Sequence, residues 1–194
     1  MAIMDAASVS LLREMLAATE WLDRTRELGR ALRATRSPGG LLVVGTPSYE
    51  PWHVTAHLAD EARWSGLAQL TPTLVRWSPP EDAPDHLRVG LERLEQARRG
   101  ETLFVVAEDR APVPLLERVD DARRTGATII ALDGGDPELE SLAHDALAVP
   151  ADGVLTFDGA QHLVSAAAGE VRKPGLRERL ARLAERITGP RIDW

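Results

Sequence analysis

The sequence contains no cysteine, which excludes disulfide bonds, a thiolate nucleophile and a zinc site built on cysteine. It also lacks a long apolar run, since stretches such as residues 40–44 are far too short to span a bilayer. Near the N-terminus, the apolar stretch at residues 11–15 is interrupted by Arg13 and Glu14, so we expect no signal peptide. Together these absences predict a cytoplasmic protein with no membrane partner.

A surplus of basic residues is missing as well. The chain carries 23 Lys and Arg residues against 30 Asp and Glu residues, which gives a formal net charge of −7. Nucleic-acid binders gain affinity by neutralising phosphates and normally carry a basic surplus. The basic cluster in residues 172–186 is interrupted by Glu178 and Glu185, as is typical of a solvated helix face. We therefore expect no nucleic-acid partner.

The composition that is present is typical of one globular domain. The 194 residues are 44% apolar and 27% charged, and a chain of this size can bury a substantial core. Residues 1–36 carry apolar side chains at three- and four-residue steps, which predicts an N-terminal helical segment. Residues 174–188 show the same periodicity and predict a C-terminal helix. Residues 40–170 are predicted to form the α/β core of the same single domain.

The core alternates short, apolar, β-branched runs with helical stretches. This alternation is typical of a parallel sheet that is covered by helices on both faces. We predict an α/β fold with a flavodoxin-like, doubly wound, five-stranded parallel sheet. The predicted strands are residues 41–45, 74–77, 102–107, 128–132 and 146–149. The predicted helices between and after them are residues 51–69, 85–99, 113–125, 137–142 and 159–170.

Three motifs follow one another without large gaps in the second half of the core. They are G-E-T-L-F-V-V at residues 100–106, A-R-R-T-G at 122–126 and L-E-S-L-A-H-D-A-L-A-V-P at 139–150. In this order they resemble the sugar isomerase (SIS) family of phosphosugar-binding domains. The sequence A-H-L-A-D-E at residues 56–61 is similar to the A-x-H-x-A-x-E motif of its sedoheptulose-7-phosphate isomerase branch. The resemblance covers about residues 40–170 and implies a SIS-like fold.

The resemblance implies a phosphate site at the loop after the third strand, yet this loop departs from the family pattern. SIS domains carry serines and threonines there, whereas this chain has Glu108 and Asp109, and Pro112 lacks an N–H donor. Two like charges at about 4 Å repel by about 4 kcal/mol at an effective dielectric constant of 20. Arg110 offsets part of this repulsion. We expect weak binding of simple phosphosugars, with Glu108, Asp109 and Arg110 as candidate ligand contacts.

Each candidate ligand contact also has a structural interpretation. Thr46 and Ser48 remain as candidate hydroxyl donors in the loop after the first strand, but Ser48 equally suits a turn or a helix cap. Glu108 and Asp109 equally suit a helix N-cap and first turn, where acidic residues are favoured. The sequence leaves these alternatives open.

His53, His57 and Glu61 are spaced four residues apart on a predicted helix, so they lie on one face. One helix cannot bring all three to one ion, because eight residues rise about 12 Å. The spacing therefore allows one neighbouring pair to bind a metal, or none, with a polar surface or a subunit contact as the alternative. The resemblance implies that His57 and Glu61 are this pair and that they serve as metal ligand and acid/base.

The SIS branch completes its metal site from a second helix with the pattern Q-E-x-H-x-x-x-x-H. Here the matching segment places His162 at the middle histidine, Gly159 at the glutamine and Ala167 at the last histidine. Asp158 and Gln161 are near enough to substitute. We expect no cofactor unless zinc binds among His53, His57, Glu61 and His162, with His162 or Asp158 supplied by a partner subunit.

The sequence favours a SIS-like ligand-binding or regulatory protein that has lost its catalytic set. We expect it to bind a sugar-phosphate-like or other small carbohydrate derivative at the carboxyl ends of the strands. The alternative is a metal-assisted aldose–ketose isomerase of the sedoheptulose-7-phosphate type, so enzymatic activity stays open. Apolar stripes on the N-terminal helix and on residues 176–187 predict a homodimer or homotetramer.

Overall fold

Five short parallel strands form the centre of the protein, in the order β2-β1-β3-β4-β5. The structure is a computed structural model and describes residues 20–84 and 87–170. Leu41 lies opposite both Pro72 and Thr102, so β1 is hydrogen-bonded to β2 on one side and to β3 on the other. This order is flavodoxin-like, and the predicted fold class is confirmed. The strands are β1 Leu41–Val44, β2 Pro72–Val75, β3 Thr102–Ala107, β4 Thr128–Asp133 and β5 Asp145–Ala148.

Helices cover both faces of this sheet. The described helices are α1 Trp21–Arg33, α2 Trp52–Ser65, α3 Glu92–Glu95, α4 Val113–Arg124, α5 Pro137–Leu142 and α6 Phe157–Gly169, with a short 3-10 helix at Ala68–Leu70. Successive strand residues point to opposite faces of the sheet. Val43 and Phe104 accordingly pack against α1, α2 and α6, whereas Leu42 and Leu103 pack against α3, α4 and α5. Both faces are apolar and buried, which explains why the strands read as continuous apolar runs.

The helices α1, α2 and α6 pack together on the first face. On α1, a Cβ atom added to Gly29 would lie 2.7 Å from the backbone of Ala167, so glycine permits the close crossing of α1 and α6. Leu58 of α2 and Leu163 of α6 belong to the same buried cluster. This packing sets α2 beside α6 within one chain, and these are the two helices that carry the candidate histidines.

The predicted helix at residues 85–99 is wrong in its extent, because only Glu92–Glu95 is α-helical within its described part. Gly90 instead forms a parallel bridge with Arg76, whose backbone N–H donates to the carbonyl of Val89 at 2.8 Å. Gly90 therefore pairs with the end of the edge strand β2 and is not part of a helix. Glycine also disfavours a helix interior. Residues 85 and 86 lie outside the described part.

Two predictions fall on residues that the structure does not describe. The N-terminal helical segment was predicted over residues 1–36, of which α1 covers Trp21–Arg33 and residues 1–19 lie outside the described ranges. The C-terminal helix at 174–188, with the apolar stripe at 176–187, also lies outside them. The homo-oligomer prediction, which depends on these stripes, therefore stays a prediction. None of the described helices is long and apolar enough to cross a membrane.

Candidate functional site

A cavity of about 790 Å³ lies at the carboxyl ends of β1 and β3. This is the edge at which doubly wound folds bind ligands, and the volume lies within the ordinary range of small-molecule sites. The loop after β1, the start of α2, the loop after β3 and the start of α6 all contribute side chains. The described lining residues are Tyr49, Glu50, Trp52, His53, Ala56, Glu108, Thr156, Phe157 and Asp158.

Two glycines bring the lining loops into place. A Cβ atom added to Gly45 would lie 2.0 Å from the carbonyl oxygen of Tyr49, so only glycine lets the loop after β1 fold back this tightly. A Cβ atom added to Gly134 would lie 2.2 Å from the carbonyl oxygen of Glu108. The loop after β4 therefore packs directly on the backbone of Glu108. These close approaches fix Tyr49 and Glu108 at the cavity.

An arginine from the sheet edge neutralises one of the cavity carboxylates. Arg76 donates from Nε to Oε1 of Glu50 at 2.5 Å and from Nη2 to Oε2 at 3.0 Å. The same guanidinium lies 4.8 Å from the ring centroid of Trp52, close enough for a cation–π contact. The indole N–H of Trp52 also donates to Glu50. The charge of Glu50 is thus paired within the protein, while Trp52 keeps 42% of its surface exposed.

A buried amide supports the opposite wall. Gln161 donates from Nε2 to the hydroxyl oxygen of Tyr49 at 2.7 Å and to Oδ1 of Asp158 at 3.3 Å. The Tyr49 ring meets Phe157 edge-on, with centroids 5.8 Å apart. Burial is the largest cause that raises the pKa of Tyr49, so its hydroxyl stays protonated at neutral pH and can act as a donor toward the cavity.

Three imidazoles form a cluster beside this cavity. His53 and His57 lie one turn apart on α2, and His162 reaches them from α6. The ring centroids of His162 lie 4.5 Å from those of both other histidines, and His53 and His57 are 4.7 Å apart. One ring nitrogen from each side chain lies within 4.8 Å of the others. Within the described chain, none of the three rings has a hydrogen-bonding partner.

The environment favours the neutral forms of His162 and His57. Burial is the first cause that lowers the pKa of His162 to about 4, followed by the neighbouring His57 and His53, and Asp158 opposes them. Burial also lowers the pKa of His57, again helped by His53 and opposed by Asp60. A neutral imidazole offers a nitrogen lone pair, which is the form that binds metals.

The donor set fits a divalent transition metal. Zinc takes histidine nitrogens at about 2.0–2.1 Å, so two nitrogens on one ion are at most about 4 Å apart. Small side-chain rotations from the observed separation of 4.8 Å or less would meet this limit. Three protein nitrogens with a fourth position open to solvent or a ligand is the arrangement typical of catalytic zinc.

The structure places the predicted metal residues differently from the pair that the resemblance implied. Glu61 packs against Gly169, about two turns along α6 from His162, and does not belong to the imidazole cluster. The pair on α2 that meets His162 is therefore His53 and His57, not His57 and Glu61. The expectation that His162 reaches the site from a partner subunit is wrong, because α6 packs beside α2 in the same chain.

Of the predicted ligand contacts, only Glu108 is among the described residues that line the cavity. Glu108 lines the cavity, whereas Asp109 and Arg110 are exposed and are not among its described lining residues. Neither acidic residue caps α4, because Pro112 occupies the N-cap position and no side chain bonds the first turn. Thr46 is buried and its hydroxyl lies 3.1 Å from that of Ser48. Their bond supports the turn interpretation of Ser48.

Sequence reasoning missed Tyr49 and Phe157 as cavity residues. Tyr49 is the single tyrosine of the sequence and stands in the loop after the first predicted strand, which was a usable signal. Phe157 had no such signal, because it lies at the cavity only as a consequence of where α6 begins. Trp52 carries no specific signal in the sequence, because packing is the usual role of an aromatic side chain.

Comparisons with known proteins support the fold. No protein-family model and no curated protein matches the sequence. A candidate phosphosugar isomerase from Silicibacter pomeroyi DSS-3 matches with a TM-score of 0.51 and 17% identity, over 88% of this chain and 50% of that chain. The sugar isomerase domain of an RpiR transcription factor from Sphaerobacter thermophilus matches with a TM-score of 0.49 and 18% identity, over 85% of this chain and 87% of that chain.

The NanR protein of Vibrio vulnificus, solved with ManNAc-6P, matches with a TM-score of 0.46 and 13% identity, over 95% of this chain and 74% of that one. The present chain spans half the length of the Silicibacter pomeroyi protein. At 17% identity, the likeness to the Silicibacter pomeroyi protein shows a shared α/β fold and nothing finer.

Proposed function

We propose that the protein binds a small carbohydrate derivative in the cavity at the carboxyl ends of β1 and β3. The observation that carries this proposal is the cavity itself, which combines aromatic rings with carboxylates at the ligand-binding edge of the fold. Trp52 and Phe157 supply apolar surface for the C–H face of a sugar, and Tyr49 and Asp158 supply a donor and an acceptor for its hydroxyls. The fold relative described as a candidate phosphosugar isomerase points to the same ligand class.

Filling the cavity tests this proposal. We expect Ala56→Leu to abolish binding of the best sugar ligand, because Ala56 is exposed on α2 and lines the cavity. Ala59→Leu is the matched control, since Ala59 is exposed on the same helix but lines a different groove. Calorimetric titration of unphosphorylated and phosphorylated sugars into all three proteins measures the effect. Equal binding by the wild type and both variants would place the ligand elsewhere.

A second candidate function is metal-assisted aldose–ketose isomerisation, which the imidazole cluster beside the cavity favours. A metal held by His53, His57 and His162 would polarise a carbonyl oxygen as a Lewis acid. The reaction also needs a base that removes a proton from the carbon next to the carbonyl and returns it to the neighbouring carbon. Glu108 and Asp158 are the cavity carboxylates that remain for this role once Glu50 is paired with Arg76.

Solvent exchange tests the isomerase directly. With zinc-treated protein in D₂O, we expect deuterium to enter an aldose or aldose phosphate at the carbon next to the carbonyl, as measured by NMR. Asp158→Asn or Glu108→Gln should slow exchange at least about a hundredfold, the usual contribution of a general base. Asp109→Asn is the control, because Asp109 adjoins Glu108 in sequence but is not among the described lining residues. Absence of exchange with every sugar would leave a binding protein without this activity.

A further inference from the structure

We infer that the cavity selects a carbohydrate that bears an amine and no phosphate, an amino sugar. This inference rests on the carbohydrate-binding function proposed above and names the charge class of its ligand. Three features carry it: the charges on the cavity wall, the loss of phosphate donors at the nearby helix start, and the aromatic rings beside the carboxylates.

The described cavity wall carries negative charge that is only partly compensated. Its carboxylates are Glu50, Glu108 and Asp158, and its described lining includes neither lysine nor arginine. Arg76 neutralises Glu50 through two hydrogen bonds. The carboxylates of Glu108 and Asp158 remain without a cationic partner among the described lining residues. A dianionic phosphate would meet two like charges here, whereas an ammonium group would meet two partners.

The helix start that follows β3 offers few backbone donors to an anion. Helix N-termini normally bind phosphate through free N–H groups. At the start of α4, Pro112 and Pro114 have no N–H group, and the N–H of Ala111 already donates to Oδ2 of Asp136 at 2.8 Å. This charge and donor pattern opposes phosphate at the position where the SIS resemblance implied it.

The start of α6 carries its own anion. Asp158 stands in the first turn of α6, where the helix dipole favours a carboxylate. Thr156 caps the same turn by accepting from the N–H of Gly159 at 3.1 Å. Gln161 holds the Asp158 carboxylate at 3.3 Å, so the negative charge is fixed at the cavity wall.

Aromatic rings beside fixed carboxylates suit an amino sugar. Trp52 and Phe157 offer apolar faces to the sugar ring, and Tyr49 offers a hydroxyl for its hydroxyl groups. An ammonium group near these rings also gains cation–π attraction in addition to the charge of Glu108 and Asp158. A phosphosugar without an amine would gain the ring and hydroxyl contacts but not the attraction for an ammonium group, and its phosphate would be repelled by Glu108 and Asp158.

Titration of four related sugars tests the inference: glucosamine, N-acetylglucosamine, glucose and glucosamine 6-phosphate, each at neutral pH and low salt. We expect glucosamine to bind at least about tenfold more tightly than glucosamine 6-phosphate, which is about 1.4 kcal/mol. Raising the salt concentration should reduce this preference, because exposed charges are screened. Glu108→Gln and Asp158→Asn should each weaken glucosamine binding about fivefold or more, while Asp109→Asn should leave it unchanged.

The outcomes separate this inference from the function on which it rests. Tighter binding of glucosamine 6-phosphate would overturn the inference and leave carbohydrate binding standing. Equal affinity for glucosamine, glucose and N-acetylglucosamine, with no effect of Glu108→Gln or Asp158→Asn, would do the same. Failure of every sugar in the wider panel to bind would overturn both proposals.

Discussion

Zinc is expected to raise the unfolding temperature of the wild-type protein by about 5–10 °C, and replacement of His53, His57 or His162 by glutamine should abolish the rise. A ligand that binds only the folded state at a concentration 100 times its Kd adds about 2.7 kcal/mol to the free energy of unfolding. For a chain of about 200 residues, each kcal/mol corresponds to about 2–4 °C. The cluster supplies three nitrogens within 4.8 Å of one another, and removal of one leaves too few for zinc.

The measurement is differential scanning calorimetry of EDTA-treated protein with and without added zinc chloride. His162 is buried, so His162→Gln is compared with its own metal-free form, and the half-buried side of the cluster is tested through His53→Gln. His144→Gln is the control histidine, because His144 accepts from the N–H of Ile129 at 2.9 Å and lies outside the cluster. It should retain the full zinc effect.

The variant Glu61→Gln tests which metal ligands are correct, those of the imidazole cluster or those of the sequence motif. The resemblance implied His57 and Glu61 as the metal pair, whereas the structure groups His57 with His53 and His162. We expect Glu61→Gln to keep the zinc-dependent rise. Loss of the rise in Glu61→Gln together with its retention in His53→Gln would show that the motif identifies the ligands and that the imidazole cluster does not.

The fold could be predicted from sequence because its strands are short, apolar and buried on both faces. The strand Thr102–Ala107 and the helix Pro137–Leu142 have the predicted bounds, since Gly100 and Asp136 punctuate them clearly. The prediction differs at residues 85–99, which alternation of strands and helices assigns to a helix. Pairing of Arg76 with Gly90 at the sheet edge, a contact between distant residues, overrides that assignment.

The candidate site was less accessible to sequence reasoning because its chemistry depends on how two helices align. Four-residue spacing places His53, His57 and Glu61 on one face of α2 but leaves open which pair meets a third ligand. The packing of α6 against α2 decides this, by placing His162 beside His53 and His57 and Gly169 beside Glu61. No local pattern in the sequence encodes that alignment.

Acidification is expected to destabilise the metal-free protein between about pH 6.5 and pH 4, and His162→Gln should remove much of this loss. The pKa of His162 is lowered from an unfolded value of 6.5 to about 4, with burial as the main cause. As the pH falls below 6.5, the unfolded chain binds a proton that the folded chain does not, so the free energy of unfolding falls. Above pH 6.5 the stabilisation is complete, and below pH 4 both states are protonated.

The size of the effect follows from the separation of the two pKa values. About 2.5 pH units at about 1.4 kcal/mol each correspond to a loss of at most about 3.5 kcal/mol. The pKa of His57 is lowered for similar reasons and adds to the same trend. Asp133 and Asp145 act in the opposite direction, because burial raises their pKa values and their contribution to stability is greatest in acid.

Because these trends overlap, the informative quantity is the difference between the wild type and His162→Gln. Urea unfolding with EDTA at pH 7, 6, 5 and 4.5 gives the free energy of unfolding for both proteins, with His144→Gln as the control histidine. The free energy of unfolding of the wild type should fall relative to that of His162→Gln as the pH falls, since only the wild type carries the histidine with the lowered pKa. Parallel curves over this range would mean that His162 takes up its proton equally in the folded and unfolded states, and the buried neutral imidazole would be excluded.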